Sequence, residues 1–288
     1  MILEHELETA LELVTRCGAI ALEIQSGGVS TLQTSDKPDN QGPVTRADIA
    51  VETMIVEAPR ASFPDDAILA EELARDPSWQ RTRRVWMIDP VDGTRDFAEG
   101  DPSWAIHVAL TIDGRPALGV VHEPGHQRTS WAVDVEGTRH AWCRQAGARA
   151  AVALHGLGRP HARQWTMVTS KSHRSGRSDE LAALLGIGPD EQLRTGSTGV
   201  KLAMVARGEA QMYAHPTVGT KLWDSCAPQV VLHAAGGRLT DMCGEPLRYV
   251  GPGLGNDRGL LATGRGIDHD ALVERLRPLT SAWFVSDR

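Results

Sequence analysis

The chain has 288 residues, 41% of them hydrophobic and 23% charged, which excludes disorder on a large scale and leaves room for one large domain or two smaller ones. A net charge of −7 excludes a general binder of nucleic-acid polymers, although local charge can still build a site for a small anion. The cysteines Cys17, Cys143, Cys226 and Cys243 are far apart and form no CxxC pair, the start Met1-Ile2-Leu3-Glu4 is not a signal peptide, and no apolar run approaches the roughly 18 residues of a membrane span, so a cytoplasmic protein with reduced thiols and no integral membrane association is expected.

In chain order, Leu7, Ala10, Leu11, Val14, Cys17, Gly18 and Ala21 share one face of an amphipathic helix over about Glu4 to Gln25, stopped by Gly27-Gly28. Residues 33–44 read as a polar loop. Thr45 opens a second helix, with Asp48 completing a capping box, and this helix is expected to run to about Glu57, before Pro59. Ala67 to Ala70 is a short apolar run ending in Glu71-Glu72. Val85 to Ile88 has strand character and is expected to end at Asp89-Pro90. Strands follow at Ala105 to Thr111 and Ala117 to His122 around an Asp113-Gly114 turn. A Gly- and Ala-rich stretch near 146–160 marks the junction between two halves, residues 1–150 and 151–288.

The second half alternates: strand Thr166 to Thr169, helix Ser178 to Leu185, helix Gly199 to Arg207, strand Ala210 to Tyr213, helix Asp224 to Ala235 closed by Gly236-Gly237, and strand Arg238 to Met242.

The segment Asp89-Pro90-Val91-Asp92-Gly93-Thr94 carries the strongest chemical signal. Two carboxylates three residues apart can converge across a tight turn. Gly93 permits a backbone conformation closed to other residues and lets an anion approach the main chain. Glu71 stands at an expected strand end, and Asp224 opens a helix, where its ordinary role is an N-cap. Hard oxygen donors of this kind suit Mg²⁺, which takes carboxylates together with substrate phosphate.

The strings DPVDGTRDF at 89–97 and WDSCAPQVVLHAAGG at 223–237 resemble the two signature motifs of the inositol monophosphatase superfamily. AEEL at 70–73 and PVTRAD at 43–48 resemble its two other landmarks, in the family order. The resemblance implies a layered αβαβα sandwich of the inositol monophosphatase type, an α/β fold with the active site between two sub-domains. It implies two or three Mg²⁺ per site, held by Glu71, Asp89, the carbonyl of Val91, Asp92 and Asp224. It also implies phosphate binding by the amides of Gly93 and Thr94, with Thr94 and Asp48 orienting a water for in-line attack on phosphorus.

The motif here reads DGTRDF, closer to the DGTKEF of 3′(2′),5′-bisphosphate nucleotidases than to the DGTxNF usual in inositol phosphatases. That resemblance implies hydrolysis of adenosine 3′,5′-bisphosphate, sensitivity to Li⁺, and nucleotide contacts from Ser170, His173, Ser197 and Lys201, with Lys201 anchoring the second phosphate away from the carboxylate cluster. The alternatives are an inositol, sugar or histidinol phosphate phosphatase of the same superfamily and a catalytically silent nucleotide-binding regulator. An NTP-dependent kinase finds no GxxxxGK[ST] loop. The chain is compatible with a homo-oligomer.

Overall fold

Along the strand that contains Val85 to Ile88, successive side chains enter two different cores. Val85 and Met87 pack into one and Trp86 and Ile88 into the other, so the strand is covered on both faces. Its uninterrupted apolar run is the sequence signature of that double burial. The computed structural model describes residues 3–36, 43–73, 75–135, 137–154, 165–171 and 175–284.

Helix α1 (Glu4–Ser26) and the one-turn α2 (Val29–Leu32) lead through the two-residue strands β1 (Ser35–Asp36) and β2 (Pro43–Val44) to α3 (Arg46–Ser62). Then come β3 (Ala67–Ala70), β4 (Arg84–Asp92), the short α4 (Thr94–Ala98), β5 (Ala105–Ile112), β6 (Arg115–Glu123), β7 (Arg128–Val135), β8 (Thr138–Gln145) and β9 (Val152–Ala153). These form a seven-stranded sheet in the order β3-β4-β5-β6-β7-β8-β9, parallel between β3 and β4 and antiparallel elsewhere.

The remainder supplies β10 (Met167–Ser170), α5 (Gly176–Leu185), β11 (Gln192–Thr195), α6 (Thr198–Ala206), β12 (Met212–His215), α7 (Leu222–Ala234), β13 (Arg238–Thr240), β14 (Leu260–Thr263) and α8 (His269–Trp283). Their five-stranded mixed sheet has the order β11-β10-β12-β14-β13.

The layers follow from which faces are apolar. Helices α1 and α3 cover one face of the large sheet through a core that includes Val14, Ile55 and Trp86. Helices α6 and α7 are apolar on most sides, as Leu202, Val205, Cys226, Val230 and Val231 show. They lie between the two sheets. Met212 and Leu261 of the small sheet pack with Leu181 of α5 and Leu272 and Leu276 of α8 in a third core on its far face. The result is the expected αβαβα stack.

Helix α7 approaches the large sheet closely because β6 has a glycine beneath it. A Cβ on Gly119 would come 2.4 Å from the carbonyl oxygen of Ala227 and 3.0 Å from its Cα. This contact sets the height of α7, and so of Asp224 in its first turn.

Several boundaries differ from expectation. Strand β4 does not end at Asp89 but continues to Asp92. Asp89 pairs with His107 and Asp92 with Ala105, so three steps on one strand face two on the other, and Pro90-Val91 sits in a β-bulge. Pro90 is tolerated there because a bulge already interrupts the ladder. Helix α3 runs through the buried Pro59 to Ser62, since one missing bond near the last turn does not break it. Asp224 lies at the third position of α7 rather than at its cap, which is Lys221. The expected strand Ala210 to Tyr213 is shifted to Met212–His215. Strands β7, β8, β11 and β14 and helix α8 carry no signal strong enough to have been read from the sequence.

Gly119→Val should force α7 off the sheet, because the obstructing atoms are backbone and cannot rotate away. The expected cost is about 1–3 kcal/mol, read as a lower urea midpoint at unchanged slope. An unchanged midpoint would show that this contact does not set the layer spacing.

Candidate active site

The structure brings the predicted carboxylates to one cleft of about 730 Å³, lined by Glu71, Asp89, Val91, Asp92, Gly93, Thr94, Ser170, Ser197, Lys201 and Asp224 among others. Asp48 stands behind Thr94. His173 lies outside the described residues.

Each group reaches the cleft by an identifiable local device. Asp48, fully buried on the first turn of α3, accepts the Thr45 N–H at 2.7 Å and the Thr45 hydroxyl at 2.6 Å on Oδ2. The Thr94 hydroxyl lies 3.1 Å from Asp48 Oδ1 and 3.0 Å from the Val91 carbonyl oxygen, both acceptors for its single proton. A hydroxyl that donates to Asp48 keeps lone pairs for a water in the cleft. Gly93 has φ +97° and caps α4, the left-handed region that glycine occupies without penalty. Thr94 begins α4, so the first-turn amides lack intrahelical partners.

Asp89 points from the bulge and accepts the Val91 N–H at 3.1 Å on Oδ1. Glu71 follows the last residue of β3. Asp224, half-buried in the first turn of α7, accepts the Lys221 N–H at 2.9 Å. Burial, then the charges of Asp92 and Glu71, push the Asp224 carboxyl well above the usual carboxylate range. A hydrogen bond shared with Asp89 works in the opposite direction.

Asp92 is bound into the second half of the chain. Its Oδ2 accepts the Ser197 hydroxyl at 2.5 Å and the Gly199 N–H at 2.6 Å, and His107 Nε2 lies 3.4 Å away. Ser197 also caps α6 by accepting the Val200 N–H at 3.0 Å. Its hydroxyl is therefore engaged with the carboxylate cluster and with its own helix, and the side chain is only 5% exposed.

Lys201 differs from expectation in one respect. It is buried beside the cluster, not set apart from it: Nζ donates to the Gly196 carbonyl at 3.1 Å and lies 5.4 Å from the Tyr213 ring centroid. Burial pulls its ammonium down to about 8, while Asp92, Asp96 and Asp224 hold it up.

Sequence reading missed His107 and Gly199. His107 is fully buried on β5, with Nδ1 3.3 Å from the Trp223 carbonyl oxygen and Nε2 toward Asp92, so it bridges the β4 loop and the start of α7. Burial lowers its pKa, against the pull of Asp92. A Cβ on Gly199 would come 1.9 Å from His107 Nε2. The only hint was a lone histidine within Ala105-Ile106-His107-Val108-Ala109, which reads equally as a satisfied core histidine.

The donor chemistry fits a hard divalent cation: carboxylates and a carbonyl, with a raised acid pKa caused partly by mutual repulsion. Among the described residues no three His, Cys, Asp or Glu side chains form a ready-made coordination shell.

A model of the inositol monophosphatase family matches residues 2–281. The chain is 32% identical over 247 residues to the 3′(2′),5′-bisphosphate nucleotidase CysQ of Escherichia coli K12, covering 84% of this chain and 93% of the relative. It is equally 32% identical over 281 residues to the histidinol-phosphatase of Mycobacterium tuberculosis H37Rv, covering 94% and 97%. Among solved structures, an IMPase of Thermotoga maritima superposes with a TM-score of 0.76 at 23% identity, covering 97% of this chain and 99% of that one. CysQ of Bacteroides thetaiotaomicron gives 0.71 at 23% identity, covering 92% and 98%.

The raised Asp224 pKa would make the binding of a divalent cation here depend on pH. In the metal-free fold the group holds a proton that the unfolded chain has released above about pH 4, so its share of stability is present at low pH and is lost as pH rises through the raised value. A cation must displace that proton. Mg²⁺ binding without substrate should therefore release protons, seen by calorimetry in buffers of different ionisation enthalpy, and should tighten as pH rises. Binding with no proton release and no pH dependence would contradict this account.

Proposed function

The chain belongs to the inositol monophosphatase family, and from that premise we propose that it is a Mg²⁺-dependent phosphomonoesterase that converts adenosine 3′,5′-bisphosphate to AMP and phosphate. The phosphatase reading is carried by the gathering of Glu71, Asp89, Asp92 and Asp224 on one cleft with the Asp48–Thr94 pair at its edge. Divalent cations held by the four carboxylates and the Val91 carbonyl would lower the pKa of water and neutralise charge on the phosphoryl oxygens.

The protein's own groups do the rest. Thr94 accepts a hydrogen bond from the attacking water while its own proton goes to Asp48, which fixes the direction of attack. The Gly93 and Thr94 amides hold phosphate at the start of α4. Asp48 is buried and fixed by Thr45, so it orients without reorganising.

The substrate reading rests on charge. Six acidic side chains and four basic ones, Arg75, Arg95, Lys201 and Lys221, line the cleft. Two divalent cations reverse its sign, which favours a ligand with a second phosphate over inositol 1-phosphate, with one phosphate, and over histidinol phosphate, whose ammonium offsets part of its single phosphate. Lys201 with Ser170 supplies the donors for that second phosphate. Residues 1–150 and 151–288 act as two sub-domains that meet at this cleft. A cytoplasmic setting fits the four unpaired thiols.

Phosphate release should be measured with adenosine 3′,5′-bisphosphate, inositol 1-phosphate and histidinol phosphate in the presence of Mg²⁺. The bisphosphate should give the highest kcat/KM, and chelation should abolish all three activities. Lys201→Ala should lower kcat/KM for the bisphosphate about tenfold or more and affect inositol 1-phosphate much less. A preference for either monophosphate would replace the substrate reading. An equal loss on all substrates would leave Lys201 as a counter-charge to the carboxylates only, with no part in holding a second phosphate.

A further inference from the structure

Helix α3 presents two carboxylates one turn apart on its buried face, Asp48 and Glu52, both fully shielded from solvent. Asp48 is absorbed by Thr45 and Thr94. Glu52 does not line the cleft and belongs to none of the motifs. A buried carboxylate is costly unless its oxygens are satisfied, and both oxygens of Glu52 are turned to the backbone. Oε2 accepts the N–H of Glu72 at 2.7 Å and Oε1 accepts the N–H of Leu73 at 2.5 Å.

Those two amides lie immediately after Glu71. The β3–β4 ladder ends at Ala70, paired with Ile88, so the chain from Glu71 onward has left the sheet. The peptide unit between Glu71 and Glu72 is nonetheless held at both ends. Its N–H goes to Glu52, and its carbonyl oxygen accepts from Arg75 Nη2 at 3.0 Å. The Arg75 guanidinium is itself seated 5.5 Å from the Trp223 ring centroid, next to Asp224. The plane of that peptide determines the direction in which the Glu71 side chain leaves the backbone. Helix α3 therefore braces both loops that carry the carboxylates, the β4 loop through Asp48 and Thr94 and the β3 loop through Glu52.

We infer that Glu52 is a positioning residue that aims Glu71 at a divalent cation without touching cation or substrate. The inference rests on the proposed cation-dependent reading of the same cleft. A carboxylate that only filled space under α3 would affect stability. One that aims a ligand would affect cation affinity.

The test uses the intact protein and Mn²⁺ as the probe, with binding followed calorimetrically in the absence of substrate. Glu52→Gln keeps size and burial but turns an amide NH₂ toward one of the two N–H donors. It should weaken Mn²⁺ binding by about tenfold or more, the range seen when a residue that orients a metal ligand is lost. The Mg²⁺ concentration for half-maximal phosphate release should rise in parallel, while kcat at saturating Mg²⁺ stays within about threefold of wild type. Leu73→Pro, on an exposed loop, removes one donor while the carboxylate remains, and should shift affinity in the same direction by a smaller factor.

Unchanged Mn²⁺ affinity in both variants, with a lower melting temperature in Glu52→Gln, would overturn the inference. So would weakened binding in Glu52→Gln with none in Leu73→Pro, because the effect would then be one of charge rather than position. If Glu52→Gln does not fold, Leu73→Pro decides alone. If the wild type binds no Mn²⁺, the cation-dependent reading has failed and takes the inference with it, an outcome distinct from a wild type that binds while the variants match it.

Discussion

The gathering of acidic side chains on one cleft is the constraint on which the rest of this structure depends. Removal from water raises the Asp224 pKa, and the nearby charges of Asp92 and Glu71 raise it further. A set of acids so placed cannot all ionise unless something offsets them. The fold supplies partial offsets: the ammonium of Lys201 and the donors gathered on Asp92 Oδ2. These partial compensations leave demand for positive charge, which is what a cation-dependent site requires of its apo state.

The layers serve that demand. Carboxylates from β3, β4 and α7 can meet only if α7 lies close to the large sheet, and Gly119 under Ala227 permits the approach. The start of α6 must lie against β5, and Gly199 over His107 permits that. His107 then touches the β4 loop through Asp92 and the start of α7 through the Trp223 carbonyl. Two glycines and one buried histidine thus join motifs more than a hundred residues apart. Their cost is local: His107 is buried with its pKa depressed, and Ser197 is held at φ +51°, a sparsely populated region for a residue other than glycine.

The sequence carried the site more legibly than the fold around it. Asp89, Asp92 and Gly93 were readable because their chemistry needs those residue types at that spacing, and packing cannot replace them. The two-faced burial of β4 was readable because an apolar run survives in the chain. Strands β7 and β8 were not, since Arg128 to Gln145 mixes Trp131, Val133 and Trp142 with Arg, Asp and His on the half-exposed edge of the large sheet. The bulge at Pro90 was invisible for another reason. Proline forbids a ladder bond but not a bulge, and only the partner strand reveals which of the two occurs. Lys201 was read as a donor, yet its burial beside the cluster depends on the packing of α6 between two sheets, which no local pattern records.

A common device underlies the carboxylates. Asp89 accepts the Val91 N–H, Asp92 the Gly199 N–H and Asp224 the Lys221 N–H, each on a single oxygen. A backbone donor two or three residues away, or at the start of a packed helix, fixes the plane of the carboxylate more firmly than another side chain would, because it has no rotamers of its own. Glu71 is the longest of the four side chains and follows the last residue of β3. Its backbone is held by a bracket, with Glu52 on one end of the Glu71–Glu72 peptide and Arg75 on the other. Across the cleft, Asp89, Asp92 and Asp224 are aimed by the backbone amides they accept, and the peptide that follows Glu71 is aimed by a buried acid of α3 that accepts its N–H.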